Sequence, residues 1–125
     1  MNLNSILIGS EQPERLWAYY SKLLGEPGWN EGPYRGWQIG NGGITIGPHD
    51  EVKGRNAQPG RLIWNIESGD VKGDFERFKA AGATIIREPY QPGEMTDADP
   101  AQEYWIATFC DPDDNYFQLV SPFNM

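Results

Sequence analysis

Two kinds of hydrophobic period alternate along this chain, and they recur twice in the same order. A short apolar run at residues 3–8 reads as a strand, and Pro13 follows where the first turn of a helix tolerates a missing amide. Leu16, Tyr19, Tyr20 and Leu23 then return at helical spacing until Gly25 stops the helix. Residues 28–47 carry glycine-separated runs, Gly36-Trp-Gln-Ile39 and Gly43-Ile-Thr-Ile46, which read as consecutive antiparallel strands. The order restarts at Arg61-Leu-Ile-Trp-Asn-Ile66, another strand pattern. Asp70 stands as an N-cap, Val71, Phe75 and Phe78 share one helical face, Gly82 closes the helix, and residues 83–87 extend again. Two strand-helix-strands units, approximately residues 1–50 and 60–125, predict one α+β domain of two similar modules. In each, a helix covers one face of a curved antiparallel sheet.

The last unit ends in a hairpin signal at residues 104–122. Pro112 presets φ at the first inner turn position, Asp111 and Asp113 have side chains suited to nearby backbone amides, and Asn115 tolerates a left-handed backbone. On the return strand Phe117 and Leu119 form one apolar face, so Gln118 points to the other. The same alternation puts Ile6 and Ile8, Ile44 and Ile46, and Leu62, Trp64 and Ile66 on faces for the helices to cover. Ser5, Thr45, Arg61 and Gln118 fall on the opposite faces, which directs four polar groups towards one enclosure.

Composition narrows the function classes. A chain of 125 residues can bury a core without disulfides or a structural metal. Ten Lys and Arg against 18 Asp and Glu give a net charge of −8, which repels phosphate backbones and anionic bilayers. No nucleic acid and no membrane is expected as a partner. Cys110 is the single cysteine, and no apolar run approaches the ~20 residues that span a bilayer. A soluble, cytosolic protein is the expectation. Fifteen glycines and ten prolines, a fifth of the chain, punctuate many short elements, and 16 aromatic residues exceed what a small core consumes.

Three motifs occur in a telling order and spacing: the helix Pro13-Glu-Arg-Leu-Trp-Ala-Tyr-Tyr20 ending at Leu24-Gly25, the helix from Asp70-Val71 to Gly82, and the string Asp111-Pro-Asp-Asp-Asn-Tyr-Phe-Gln-Leu-Val-Ser-Pro122. Together they resemble the vicinal oxygen chelate superfamily, which holds glyoxalase I, bleomycin resistance proteins, fosfomycin resistance proteins and extradiol dioxygenases. The resemblance spans essentially the whole chain. It implies two βαβββ modules whose sheets curl into an open cup, paired in a homodimer. It also implies metal-ligand positions, and these fall here on Ser5, Thr45, Arg61 and Gln118. Two hydroxyls, an amide and a permanent cation make a poor site for zinc, iron or nickel, so no metal or other cofactor is expected there. Asp114 departs from the glycine usual in the family's turn, a modest strain if that position is left-handed.

The remaining candidates each carry two readings. His49, with Asp50 and Glu51 beside it, reads as a general base, as a residue lining the cup mouth or as a solvated loop histidine. Arg61 reads as an anchor for an anionic group or as an architectural ion-pair partner, and Gln118 as a ligand contact or as the partner of Arg61 or Asn65. Trp37 and Trp105 read as flat walls for an aromatic ligand or as packing in the dimer seam, and Trp29 is given neither role. Trp64 reads as core and Cys110 as an inert strand residue. Residues 88–103 form a long proline-containing loop, read as a lid, an interface arm or a disordered span. Two functions compete. One is a metal-free binding protein of the bleomycin resistance type that sequesters a cationic or aromatic small molecule. The other is a lyase, isomerase or transferase with an atypical or metal-free site built on His49, Glu51 and Arg61.

Overall fold

The computed structural model describes residues 1–92 and 104–122. The chain divides into two compact units, residues 1–56 and 57–125. The first runs β1 (Ser5–Gly9), α1 (Pro13–Leu24), β2 (Trp29–Glu31), β3 (Tyr34–Ile39) and β4 (Gly42–Gly47), with sheet order β1-β4-β3-β2. The second runs β5 (Trp64–Glu67), α2 (Val71–Ala80), β6 (Thr84–Tyr90), β7 (Ile106–Cys110) and β8 (Tyr116–Val120), with order β5-β8-β7-β6. Each is a βαβββ module. The fold is α+β. Its sheets are mixed, because β1 lies parallel to β4 and β5 parallel to β8, while every other pair is antiparallel. The helix carries the chain across the sheet, and the three-strand meander then returns beside the first strand in the same direction.

Each helix is positioned by its ends and its apolar stripe. Pro13 opens α1 without needing an amide partner, and Gly25 ends it at φ 87°, a left-handed conformation open to glycine. Leu16, Tyr20 and Leu23 are buried, and the Trp17 indole N–H donates to the Ile46 carbonyl at 3.0 Å, tying the helix to β4. In α2 the Asp70 carboxylate accepts the Gly73 N–H at 3.0 Å, the predicted N-cap. A Cβ at Gly73 would come within 2.2 Å of that carboxylate, so glycine keeps the cap open. Val71, Phe75 and Phe78 face inwards. Phe78 and Phe75 meet Phe109, Phe109 stacks on Phe117 at 5.4 Å, and Phe117 stacks on Trp64 at 5.3 Å. Such a ring series adds about 0.5–1.5 kcal/mol per pair beyond area burial.

The closing turn follows its predicted chemistry with one exchange of roles. The Asp111 carboxylate accepts the N–H groups of Asp113 at 2.9 Å and Asn115 at 3.0 Å. The left-handed residue is Asp114, at φ 64°, and not Asn115, whose side-chain amide instead donates to the Asp111 carboxylate.

Four element boundaries differ from the sequence pattern. β1 begins at Ser5, leaving Leu3 exposed. β2 is a three-residue strand that no run of apolar residues announced. β5 begins at Trp64, so Arg61 and Leu62 are outside it and Leu62 is 68% exposed rather than under a helix. The cause is a local turn in which the Arg61 N–H donates to the Gln58 carbonyl at 3.0 Å. β6 runs on to Tyr90, with register shifts between Ile85 and Arg87 and between Arg87 and Tyr90. It takes in residues 88–90 of the predicted loop, whereas 93–103 lie outside the described residues.

Candidate functional site

One cross-strand row on the helix-free face of each sheet collects the residues that carry chemistry. In the first sheet the register aligns Leu7 with Thr45, Thr45 with Gly36, and Gly36 with Trp29. In the second it aligns Asn65 with Gln118, Gln118 with Thr108, and Thr108 with Arg87. Paired residues share a face, so these are equivalent rows of the two modules.

The first row is open. A Cβ at Gly36 would fall 2.0 to 2.6 Å from the Trp29 indole, so the ring rests directly on the glycine. The same device recurs on this face, where Tyr34 lies over Gly47 and the His49 Cβ sits against Gly9. Beside Trp29 is a pocket of about 270 Å³, walled by Ser5, Thr45, Gln38, Asn4 and Asn41 with Gly42 and Gly43 among its lining. Ser5 and Thr45, predicted to share a face, do meet there. Among the described residues, none of the lining side chains is ionisable. The Gln38 amide donates to the Gly40 carbonyl at 2.9 Å, which leaves its oxygen as the acceptor.

The second row pairs within itself. The Gln118 amide donates to the Thr108 hydroxyl at 3.0 Å, and not to Arg61 or Asn65. The Arg87 guanidinium lies 3.4 Å from the centroid of the Tyr90 ring. Arg87 therefore takes the cationic place in this row that the sequence pattern assigned to Arg61. The adjacent apolar pair Ile85-Ile86 breaks the two-residue period, and that break was the available signal for the bulge that realigns Arg87.

The other candidates are spread over both modules. Arg61 is exposed and its guanidinium bonds to the Gln58 side-chain oxygen. Trp37 is 3% exposed, packs against Tyr20 and donates its indole N–H to the Gly25 carbonyl at 2.8 Å. It packs under α1 and is also among the residues that line the pocket beside Trp29. Trp105 is half-buried with the Lys72 ammonium 3.8 Å from its ring centroid, and its main-chain N–H donates to the Ser121 hydroxyl at 2.8 Å. His49 is exposed, accepts the Glu51 N–H at Nδ1 (3.1 Å), and lies 3.5 Å from the Asp50 carboxylate. Glu51 is exposed and contributes a main-chain donor there. Trp64 is core, as predicted. Cys110 is buried, with its thiol donating to the Asp111 carbonyl. Burial raises the Tyr104 phenol above its ordinary pKa by disfavouring the phenolate.

A profile of the glyoxalase-like domain matches residues 5–120. The chain belongs to the glyoxalase-like domain family. That places it in the vicinal oxygen chelate superfamily, and solved structures agree on the fold. A glyoxalase-related enzyme from Fulvimarina pelagi superposes with a TM-score of 0.72 at 16% identity, covering 98% of this chain and 88% of that one. A glyoxalase/bleomycin resistance protein/dioxygenase family enzyme from Burkholderia phytofirmans PsJN gives 0.69 at 19% identity, covering 98% and 100%. TioX from Micromonospora sp. ML1 gives 0.69 at 14% identity, covering 98% and 100%. A search of curated protein sequences found no match.

Metal binding, which the superfamily implies, can be tested on this glyoxalase-like domain's own donors. Ser5 and Thr45 offer hydroxyls, the Gln118 amide already serves Thr108, and Arg61 is a cation in a turn. Among the described residues no three His, Cys, Asp or Glu gather into a site. Soft or borderline dications need imidazole, thiolate or carboxylate, so this donor set does not fit. No helix among the described residues is long and apolar enough to cross a membrane.

Proposed function

We propose that this glyoxalase-like domain is a metal-free binding protein that sequesters a small aromatic compound in the first module. The observation that carries the reading is the pocket beside Trp29. An exposed indole is held in place by Gly36, and every polar side chain around it is a hydroxyl or an amide. Such a surface recognises shape and hydrogen bonds but supplies neither an acid nor a base. The competing enzyme reading draws less support, since Arg61 is engaged by Gln58 and His49 and Glu51 stand exposed on a loop. A homodimer belongs to the same proposal, and light scattering on purified protein checks it.

Two measurements test the reading. Elemental analysis of protein purified without chelator is expected to show no stoichiometric metal, and such a metal would overturn the metal-free assignment. In a thermal-shift screen, an aromatic ligand at a hundred times its dissociation constant should add about 2.7 kcal/mol of stability. A midpoint unmoved by any aromatic compound would refute sequestration.

A further inference from the structure

We infer that the Trp29 pocket selects an uncharged planar ring bearing an amide-type donor and acceptor, a lactam or carboxamide heteroaromatic, and that Gly36 is its positioning residue. This rests on the binding reading above and deepens it. Three observations carry it. First, among the described residues the lining contains no charge of either sign. An ionic ligand would leave water without a counter-charge, at a penalty that hydroxyls and amides only partly offset. The net charge of −8 attracts cations at long range, but it is unevenly placed. Residues 1–56 hold five basic and six acidic side chains, whereas residues 57–125 hold five and twelve. The module with the pocket is thus close to neutral, and contact chemistry there decides over the distant field.

Second, the hydrogen-bonding groups have direction. With one Gln38 amide N–H donated to the Gly40 carbonyl, its oxygen can accept a ligand N–H. The hydroxyls of Ser5 and Thr45 can donate to a ligand carbonyl. A lactam or primary amide presents that pair of groups on one edge of a flat ring, whereas a hydrocarbon leaves both unused. Third, the size is limited. A pocket of about 270 Å³ lies just under the ~300–1,000 Å³ of drug-sized sites, which suits one or two fused rings.

Gly36 enters through Trp29. The indole lies where a side chain on Gly36 would stand, so any substituent there must displace the ring. The equivalent position in the second module is Thr108, and the place corresponding to Trp29 holds Arg87. Gly36 therefore sets the stacking plane of Trp29 without needing to touch the ligand.

The experiment follows the indole N–H signals of the full-length protein by two-dimensional NMR, with Trp29→Phe assigning the Trp29 peak. Three probes of similar outline are titrated: quinolin-2-one, the N-methylquinolinium cation and quinoline-2-carboxylate. Quinolin-2-one should shift the Trp29 signal and bind at least about tenfold tighter than either ion. Gly36→Ala should move the Trp29 signal in the free protein and weaken quinolin-2-one by about tenfold, with the Trp37 signal and the folded spectrum retained. Gln38→Leu, which keeps the ring platform, should reduce the preference of quinolin-2-one over naphthalene. Tighter binding of either ion at Trp29 would overturn the ligand class while leaving a binding protein. Perturbation confined to residues away from Trp29 would overturn the site and not sequestration. Binding of quinolin-2-one that Gly36→Ala leaves unchanged would remove Gly36 from its role. Failure of all three probes to bind would overturn the inference, and stoichiometric metal in the same sample would separately overturn the metal-free reading.

Discussion

The two modules share a topology to the level of register, yet one residue in the middle of a row gives them different surfaces. Gly36 on β3 faces Thr45, and Thr108 on β7 faces Gln118. With no side chain at Gly36, the Trp29 indole lies down on the sheet and one edge of the row stays open as a pocket. With a hydroxyl at Thr108, Gln118 has a partner 3.0 Å away within the row. The strands β3 and β4 carry four glycines, whereas β6, β7 and β8 carry none. Missing side chains, rather than added reactive ones, make the first sheet the candidate binding surface. On the helix side the modules converge instead, since Trp37 and Phe109 occupy equivalent places and both are buried.

That likeness can be broken first where the effect is largest. Phe109→Ala and Trp37→Ala should each cost about 3–5 kcal/mol in urea unfolding, because each leaves a cavity against its helix. A loss below about 1 kcal/mol in one alone would show that the helix-side cores are not equivalent. Next, Asp111→Ala removes the buried acceptor of two main-chain N–H groups and should cost about 2–4 kcal/mol. The β3–β4 connection has no such carboxylate and relies on Gly40 at φ 60°, so this dependence is peculiar to the second module.

Smaller effects sharpen the contrast between the rows. Thr108→Val deprives the Gln118 amide of its acceptor and should cost about 1 kcal/mol. Thr45→Val, in the open row, should change stability by about 0.5 kcal/mol or less. Equal costs would mean that both rows are internally bonded. Smallest of all, Asp114→Gly should stabilise the protein by about 0.5–1 kcal/mol by relieving a left-handed aspartate, with unfolding midpoints compared at one pH. A loss instead would assign value to the Asp114 carboxylate near the Cys110 thiol.

Much of this was legible before any coordinates. The helical stripes ending at Gly25 and Gly82, the Asp70 cap and the alternation about Gln118 depend on neighbours within a few residues, where period and cap chemistry act directly. Ser5 and Thr45 could be placed on one face for the same reason. The strand end at Arg61 and the burial of Trp37 were not legible, the first because polar turn chemistry overrode the strand period and the second because burial depends on a partner in another element. A turn with Gln58 withdrew Arg61 from β5, and the contact with Tyr20 claimed Trp37 for the core.

The sequence by itself determined the order of elements, the repeat of the βαβββ module and the absence of good metal donors at the superfamily's ligand positions, since residue identity and local period suffice for each. Tertiary structure alone decided that Trp29 lies on Gly36, that Arg87 and not Arg61 completes the second row, and that Gln118 spends its amide on Thr108. These are cross-strand facts. They depend on register and on a bulge, which the pairing of whole strands sets and the period within one strand does not.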